Sequence, residues 1–283
     1  MSTRFARPET IDEAVSMMAV DTWTLLSGGT DYYPALQSRE PTGNILDLSG
    51  LETLAAIEET TDDWLIGARA TWSDLIARDL PPAFDALKLA AREIGSIQIQ
   101  NRATLAGNLC NASPAADGVP VLLILDAKIR LQSARGTRTV PLAEFITGNR
   151  RTIRASDEIL THIIIPKSAT EGVSVFQKLG ARKYLVISIT MAAIRLVAGP
   201  DDTIREAAIS VGSCSAVAKR LNSLEDALKG APLAEAVTAE FVAGHLSALS
   251  PIDDIRASAA YRMEASAILL SRLLSSAMKE AGK

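Results

Sequence analysis

The sequence predicts an α+β protein with more than one domain, and three observations support this. The chain has 283 residues, which exceeds the usual size of a single domain. Short strands and helices, each bounded by turn residues, follow one another through the first part of the chain. Near residue 170 the order changes to strands followed by helices, which is typical of a separate α+β unit. We therefore expect one domain over residues 1–170, with subdomains at about 1–55 and 56–170, and a second domain over 171–283.

The first domain is predicted to begin with a helix over residues 10–20, where Thr10 can act as the N-cap. Strands are expected in TWTLLSGGTD (22–31), NILDLS (44–49), TLAAIEE (53–59), DWLIGAR (63–69) and DEILTHIIIP (157–166). Helices are expected in TWSDLIARDL (71–80), AFDALKLAAREIG (83–95), VPVLLILDA (119–127) and LAEFI (142–146). The segment KIRLQSARGTRTVPL (128–142) is typical of a hairpin that turns at Arg135 and Gly136.

The second domain is predicted to be a sheet covered by helices. Its strands are GVSVFQKL (172–179), ISITMAAIRLV (187–197) and IREAAISVGS (204–213). Its helices are LNSLEDALKG (221–230), LAEAVTAEFVAGHL (233–246) and IRASAAYRMEASAILLSRLLSSAMKE (255–280).

Composition excludes several classes of function. A net charge of −4 gives no basic surface of the kind that binds nucleic acid. The two cysteines, Cys110 and Cys214, are widely separated and cannot supply the four thiolates of an iron–sulfur cluster, nor a typical structural zinc site. No signal peptide is recognised, and no apolar run approaches the length of a membrane span. The sequence therefore predicts a cytoplasmic protein without a metal site of its own, and it offers no nucleophile triad or carboxylate pair as catalytic residues.

Two glycine-containing segments stand out as candidate binding sites. In LLSGGTDYY, Gly28 and Gly29 directly follow an apolar strand, and in ATLAGNL, Gly107 is followed by Asn108. Glycine permits positive φ and close backbone approach, so successive N–H groups can surround an anion such as a diphosphate. Neither segment fits the dinucleotide fingerprint or the Walker pattern. For the first segment the alternative is a plain turn after a strand. For the second, the alternative is that Asn108 and Asn111 form a turn by bonding their own backbone.

Two charged positions near these segments have both a structural and a functional interpretation. Asp117 precedes the apolar run VPVLLIL, where it could cap a helix or bind the same ligand as the glycine segments. Lys178 belongs to the basic group QKLGARK between two apolar strands. Such a group is ordinarily a solvated turn, but its position also allows a role facing a ligand.

Four segments together resemble one known family. LLSGGTD, TLAGNLCNASPAADGVPVLLILDA, DEILTHIIIP and FQKLGARKYLVISIT occur in the order found in the FAD-binding medium subunit of molybdenum hydroxylases, the xanthine dehydrogenase and aerobic carbon monoxide dehydrogenase family. The resemblance covers essentially the whole chain, and its most specific part has the form TxxGNxxxxSPxxD. It implies a vanillyl-alcohol-oxidase-like (PCMH-type) FAD-binding domain of two α+β subdomains, followed by a C-terminal α/β domain with an antiparallel sheet and helices.

The resemblance also implies the residues that bind FAD. Leu25 to Tyr32 would form one diphosphate loop and Thr104 to Asn108 the other. Asp117 would bond the ribityl or adjacent polar part of FAD, Leu160 would contact FAD through its backbone, and Lys178 would approach the flavin ring. The full implied set is Leu25, Leu26, Ser27, Gly28, Gly29, Thr30, Asp31, Tyr32, Thr104, Leu105, Ala106, Gly107, Asn108, Asp117, Leu160 and Lys178.

By the same resemblance, the chain is an oxidoreductase subunit that is active only in complex. Its FAD would accept electrons from two [2Fe–2S] clusters in a small partner subunit and pass them to an external acceptor. Substrate would be hydroxylated at the molybdenum cofactor of a large partner subunit, within a dimer of heterotrimers. One alternative is a self-sufficient FAD-dependent oxidoreductase of the same fold, such as the UDP-N-acetylenolpyruvoylglucosamine reductase type. Another is a flavin-free scaffold or binding module.

Overall fold

Four β-sheets organise the part of the chain that the computed structural model describes, residues 3–282. The strands are β1 Phe5–Ala6, β2 Trp23–Leu26, β3 Asn44–Asp47, β4 Ile57–Glu59, β5 Asp63–Gly67, β6 Lys128–Ser133, β7 Gly136–Pro141, β8 Ile146–Gly148, β9 Arg151–Thr152, β10 Ile159–Pro166, β11 Val173–Leu179, β12 Thr190–Ala198, β13 Ile204–Gly212 and β14 Lys219–Arg220. The helices are α1 Ile11–Val20, α2 Tyr32–Leu36, α3 Trp72–Ala77, α4 Asp85–Glu93, α5 Ile97–Gln100, α6 Leu105–Asn111, α7 Gly118–Ile124, α8 Leu142–Phe145, α9 Asn222–Leu228, α10 Ala239–Ala243 and α11 Ala259–Ala281.

The N-terminal part is a parallel three-stranded sheet in the order β1-β3-β2. Helix α1 joins β1 to β2, and its Ala14 and Met18 side chains are buried in the main core. Thr10 caps α1 as predicted, because its hydroxyl accepts a hydrogen bond from the Glu13 N–H. Strand β2 ends at Leu26, so the chain leaves the sheet directly into the first glycine segment.

The next part is a five-stranded antiparallel sheet in the order β4-β5-β10-β6-β7, with a separate two-stranded sheet formed by β8 and β9. Strand β10 is central and pairs with both β5 and β6. Helices α4 and α6 pack against α7, in which every residue is buried. A helix that is apolar all round belongs in a core, and α7 contacts structure on both sides.

The C-terminal sheet is antiparallel, in the order β11-β12-β13-β14, and both of its faces are covered. On β12, Met191 and Ala193 join the core that contains α7, whereas Ala192 and Ile194 pack with α9 and α11. This is why β12 and β13 are almost continuously apolar rather than alternating. Burial of a side chain such as Ile194 contributes about 1.5–3 kcal/mol, so the two cores hold the sheet between the two sets of helices.

Two arginines of the C-terminal sheet fix the far end of α7. The Arg195 Nε–H donates to the Ile124 carbonyl at 3.1 Å, and Arg220 donates to the Leu123 carbonyl at 2.9 Å. The last carbonyls of a helix have no partner within the helix, and cations there are also favoured by the helix dipole. These bonds lock α7 to the C-terminal sheet and thereby fix the position of Asp117 at its other end.

Three predictions about elements were wrong in detail. TLAAIEE begins as the 3-10 helix Glu52–Ala55, and only β4 is a strand. LAEAVTAEFVAGHL forms only α10, because the Thr238 hydroxyl accepts from the Phe241 N–H and so starts the helix there. In the β6–β7 hairpin Ser133 pairs with Gly136, so the turn lies at residues 134–135, one residue earlier than predicted.

Within residues 3–282, no helix combines the length and apolarity that crossing a membrane requires.

Candidate functional site

The first glycine segment is a tight turn that leaves no room for larger side chains. A Cβ atom on Gly28 would lie 2.0 Å from the Arg102 carbonyl oxygen, inside any possible contact distance. Gly29 has a φ of +70°, in the left-handed region that favours glycine. The backbone of this turn therefore lies directly against residues 102–103, next to the start of the second segment.

The second segment is not a loop, which corrects the prediction made from its glycine. Residues 105–111 form α6, which follows α5, and Gly107 lies inside α6 without a positive φ. The Thr104 hydroxyl accepts from the Gly107 N–H at 3.0 Å and caps the helix. The Leu105 N–H donates to the Ala70 carbonyl at 3.2 Å, and this bond holds the start of α6 against the segment between β5 and α3. Thr104 to Asn108 thus form the first turn of a helix.

A polar cluster connects the ends of the two segments. Arg150, in the β8–β9 turn, donates to Asp31 Oδ2 at 3.0 Å and to Asn111 Oδ1 at 2.6 Å. The backbone N–H of Arg150 also donates to the Ala112 carbonyl at 2.8 Å. Asp31 belongs to the first segment and Asn111 to α6, so one guanidinium bridges both. The Arg150 and Asp31 side chains are exposed, and ion pairs between exposed side chains are individually weak.

Asp117 is buried and does not cap α7, so the helix-capping interpretation was wrong. Its Oδ2 accepts from Lys178 Nζ at 2.6 Å, and its Oδ1 accepts from the Ser188 hydroxyl at 2.6 Å. The exposed fraction is only 8% for the Asp117 side chain and 6% for that of Lys178. A buried charge is tolerated only where it is paired and hydrogen-bonded. The Asp117 carboxylate and the Lys178 ammonium pair with and hydrogen-bond each other.

Burial raises the pKa of the Asp117 carboxyl, while the Lys178 ammonium and the hydrogen bonds from Lys178 and Ser188 act to lower it. Lys178 Nζ lies 3.5 Å from the Glu93 carbonyl as well, so its ammonium is held at the junction of α4, α7 and β11. Arg182 and Lys183 are exposed, and Arg182 bonds the Leu185 carbonyl. Of the basic group, Lys178 alone is buried at this junction.

Asn108 of α6 lies beside Gly118, the residue that follows Asp117. Its Oδ1 atom is buried and has no hydrogen-bond partner within residues 3–282. It lies beside Gly118, where an added Cβ would come within 3.1 Å of this oxygen and 2.6 Å of the Trp72 ring. A buried amide oxygen without a partner is costly and calls for a donor. The site therefore runs continuously from the first glycine turn, through α6 and Asn108, to Asp117 and Lys178.

Leu160 lies near this line of residues but on a different element. It is buried on β10, opposite Leu131 of β6, immediately before a β-bulge at residue 161. The bulged Thr161 carbonyl accepts from the Ala68 N–H at 2.9 Å, and α6 packs against β10. Bulges often redirect the backbone next to functional sites.

The remaining implied residues lie in or beside the two glycine segments: Leu25, Leu26, Ser27, Thr30, Tyr32 and Ala106.

Sequence reasoning missed two residues of this arrangement. Arg150 lies in the basic segment NRRTIR, and nothing in this segment indicates that Arg150 bonds Asp31, 119 positions away, and Asn111, 39 positions away. Ser188 was seen only as part of an apolar strand. A lone serine in the run ISIT was the available signal, since a buried hydroxyl requires a partner.

These features fit a ligand that carries both a diphosphate and a polar chain. The turn at Gly28 and Gly29 has no room for side chains, and Gly29 has a positive φ. This turn and the start of α6 allow backbone N–H groups to approach an anion. The unpartnered Asn108 oxygen and the buried Asp117 carboxylate are acceptors for hydroxyl or N–H donors farther along the same ligand.

Comparison with known proteins identifies the family. A sequence model of the FAD binding domain in molybdopterin dehydrogenase matches residues 1–168, more than half of the chain. The chain belongs to the FAD-binding medium subunits of the molybdenum hydroxylases. A second family, the CO dehydrogenase flavoprotein C-terminal domain, matches residues 175–277 of this medium subunit.

Individual relatives of the medium subunit agree with this. It is 31% identical over 237 residues to the nicotinate dehydrogenase FAD-subunit of Eubacterium barkeri, covering 81% of this chain and 80% of the relative. It is 31% identical over 268 residues to the nicotine 6-hydroxylase medium subunit of Paenarthrobacter nicotinovorans, covering 92% and 91%. Its fold superposes on a chain of reconstituted CO dehydrogenase from Oligotropha carboxidovorans with a TM-score of 0.91 at 25% identity, over 99% of each chain. The predicted fold class, the oxidoreductase assignment and FAD as the cofactor of this medium subunit are thereby confirmed.

Proposed function

We propose that this medium subunit holds FAD along the line from the first glycine turn to Lys178 and carries electrons from a partner's [2Fe–2S] clusters to an external acceptor. FAD supplies the redox chemistry, because it can accept electrons from a cluster and release them as a pair. The complete unit would be a dimer of heterotrimers in the cytoplasm, with a large molybdopterin-binding subunit and a small [2Fe–2S] subunit. The observation that carries the proposal is the continuity of the site in a chain whose family binds FAD.

In this proposal the two glycine segments bind the diphosphate. The segments Leu25 to Tyr32 and Thr104 to Asn108 bring their backbone close to it. The Leu105 and Gly107 N–H groups already donate to Ala70 and Thr104, so in the second segment the remaining N–H groups would bind the diphosphate. Asp31 belongs to this region and would repel a dianion, but Arg150 pairs with its carboxylate. Arg150 therefore offsets the unfavourable charge and holds the two segments together.

The other end of the site handles the ribityl chain and the ring. Asp117 accepts from hydroxyl groups, since a carboxylate offers about four lone-pair sites and two are taken by Lys178 and Ser188. Lys178 places a positive charge at the ring end, which favours electron density on the ring. Leu160 contributes a backbone contact from β10. Burial of Asp117 and Lys178 excludes water from this end.

The decisive experiment is spectroscopic. The full chain, and the complex that co-purifies with it, should show flavin absorption, and the cofactor released on denaturation should be FAD. Adding the substrate of the complex without oxygen should bleach the flavin bands, and an electron acceptor should restore them. If FAD binds but is not reduced through the partner subunits, the chain would still be a flavoprotein, but the proposed electron-transfer role would be refuted.

A further inference from the structure

Ser188 lies in the connection between β11 and β12, and its side chain turns inward to Asp117. Its side chain is buried, whereas Tyr184, Leu185 and Ile187 are exposed. The connection is closed at its base, because the Ile189 N–H donates to the Leu179 carbonyl at 2.7 Å. Lys178 and Ser188 therefore stand at the two ends of one connection and converge on the same carboxylate of Asp117.

The two contacts divide the carboxylate between them. Lys178 takes Oδ2 and Ser188 takes Oδ1, each at 2.6 Å. With one oxygen fixed by each partner, the plane of the carboxylate cannot rotate about its bond to Cβ. The free lone pairs then point in a set direction. Loss of the Ser188 bond would leave Lys178 as the one side chain that orients Asp117.

We propose that Ser188 is a positioning residue for FAD: its hydroxyl holds the Asp117 carboxylate at the angle at which the carboxylate accepts hydrogen bonds from the polar chain of the cofactor. The inference rests on the proposed function, in which Asp117 binds FAD. It adds a residue that acts through Asp117 and does not itself contact the cofactor. It also assigns a role to the connection between β11 and β12, because this connection brings Ser188 to the carboxylate that Lys178 contacts from β11.

The test measures FAD affinity in matched serine variants of the full chain, alone and in its complex. Ser188→Ala removes the hydroxyl, and Ser188→Thr keeps it. Ser210→Ala is the control, because Ser210 is fully buried on β13 of the same sheet and its hydroxyl has no partner within residues 3–282. Asp117→Ala reports the loss expected when the carboxylate itself is absent. FAD dissociation constants come from quenching of flavin fluorescence, and unfolding temperatures are measured without FAD.

Ser188→Ala is expected to weaken FAD binding by about tenfold, the usual effect of one hydrogen bond to a charged group. Ser188→Thr should restore affinity to within about twofold, and Ser210→Ala should leave it unchanged; both expectations follow from whether the hydroxyl bond to Asp117 is kept. The Thr rescue separates positioning from packing, since Thr changes the packing volume yet keeps the donor. If Ser188→Ala does not fold, Ser188→Cys, which has a weaker donor of similar size, should bind FAD with intermediate affinity.

Two results would overturn the proposal. One is FAD affinity in Ser188→Ala equal to that of the unaltered protein while Asp117→Ala loses FAD. The other is equal loss in Ser188→Ala and Ser188→Thr, which would assign Ser188 to packing. Unaltered FAD affinity in Asp117→Ala would instead refute the role of Asp117 in the proposed function, and the inference would fall with it.

Discussion

The two glycine segments look alike in the sequence but differ in the folded protein. Gly28 and Gly29 form a true turn after β2, in which one glycine fits against a backbone carbonyl and the next has a positive φ. Gly107 lies in the first turn of α6, is exposed, and has only the Thr104 hydroxyl near the position of a Cβ atom. The first segment needs glycine in order to fold. In the second segment a Cβ atom would lie 2.9 Å from the Thr104 hydroxyl, so a side chain would displace this one capping group and no backbone. Any larger need for glycine there must come from the ligand.

The largest expected effect tests the first half of this comparison. Gly28→Ala places a Cβ against the Arg102 carbonyl, which is backbone and cannot move aside cheaply. The free energy of unfolding should fall by about 3 kcal/mol, at the upper end of overpacking costs. Denaturant unfolding of the chain without FAD measures this. A stability equal to that of the unaltered chain would show that the turn can open.

The next effect tests the second half. Gly107→Val should reduce FAD affinity by at least about tenfold, because the side chain would occupy the space of a phosphate against the backbone. Its free energy of unfolding without FAD should fall by no more than about 1 kcal/mol, the cost of a lost helix cap, because the added Cβ would displace the Thr104 hydroxyl. The matched control is Gly107→Ala, with a much smaller side chain. Full flavin content in Gly107→Val would remove α6 from the diphosphate site.

A smaller effect is expected at the cap of α6. Thr104→Ala removes the acceptor for the Gly107 N–H and should lower the free energy of unfolding by about 1 kcal/mol. Thr104→Ser keeps the acceptor and should be nearly neutral. Chemical denaturation of the three proteins distinguishes these outcomes. Equal stabilities would indicate that the start of α6 is held by its bond to Ala70 instead.

The smallest effect concerns the bridge between the two segments. Arg150→Gln should weaken FAD binding by a few-fold at low salt, because the pair with Asp31 is exposed and contributes less than about 1 kcal/mol. The difference should vanish at high ionic strength, where exposed charges are screened. Titration of FAD at two salt concentrations measures it, with Arg39→Gln as a control at an exposed arginine that bonds only the nearby Ala35 and Leu36 carbonyls. A loss independent of salt would contradict this electrostatic role.

Much of the fold could be predicted because its signals are local. Thr10 starts α1 through its own hydroxyl, and residues 119–124 of the predicted helix 119–127 lie in the fully buried α7. The predictions failed where a local pattern had two solutions. Gly107 in a polar context fits a loop or a helix start, and Asp117 before an apolar run fits a cap or a buried partner. In both cases the choice depends on atoms far away in the chain, such as Ala70 or Lys178.

The sequence by itself determined the class of elements, the family and therefore the cofactor, because glycine turns, apolar periodicity and the order of motifs are properties of neighbouring residues. The tertiary structure decided which groups meet. Asp117 faces Lys178 and Ser188, which lie 61 and 71 residues further along the chain. Arg150 reaches Asp31 across 119 residues. Hydrogen bonds and ion pairs between residues so far apart in the chain depend on how sheets and helices pack. A buried charge must then pair with a group that the packing brings within hydrogen-bond distance.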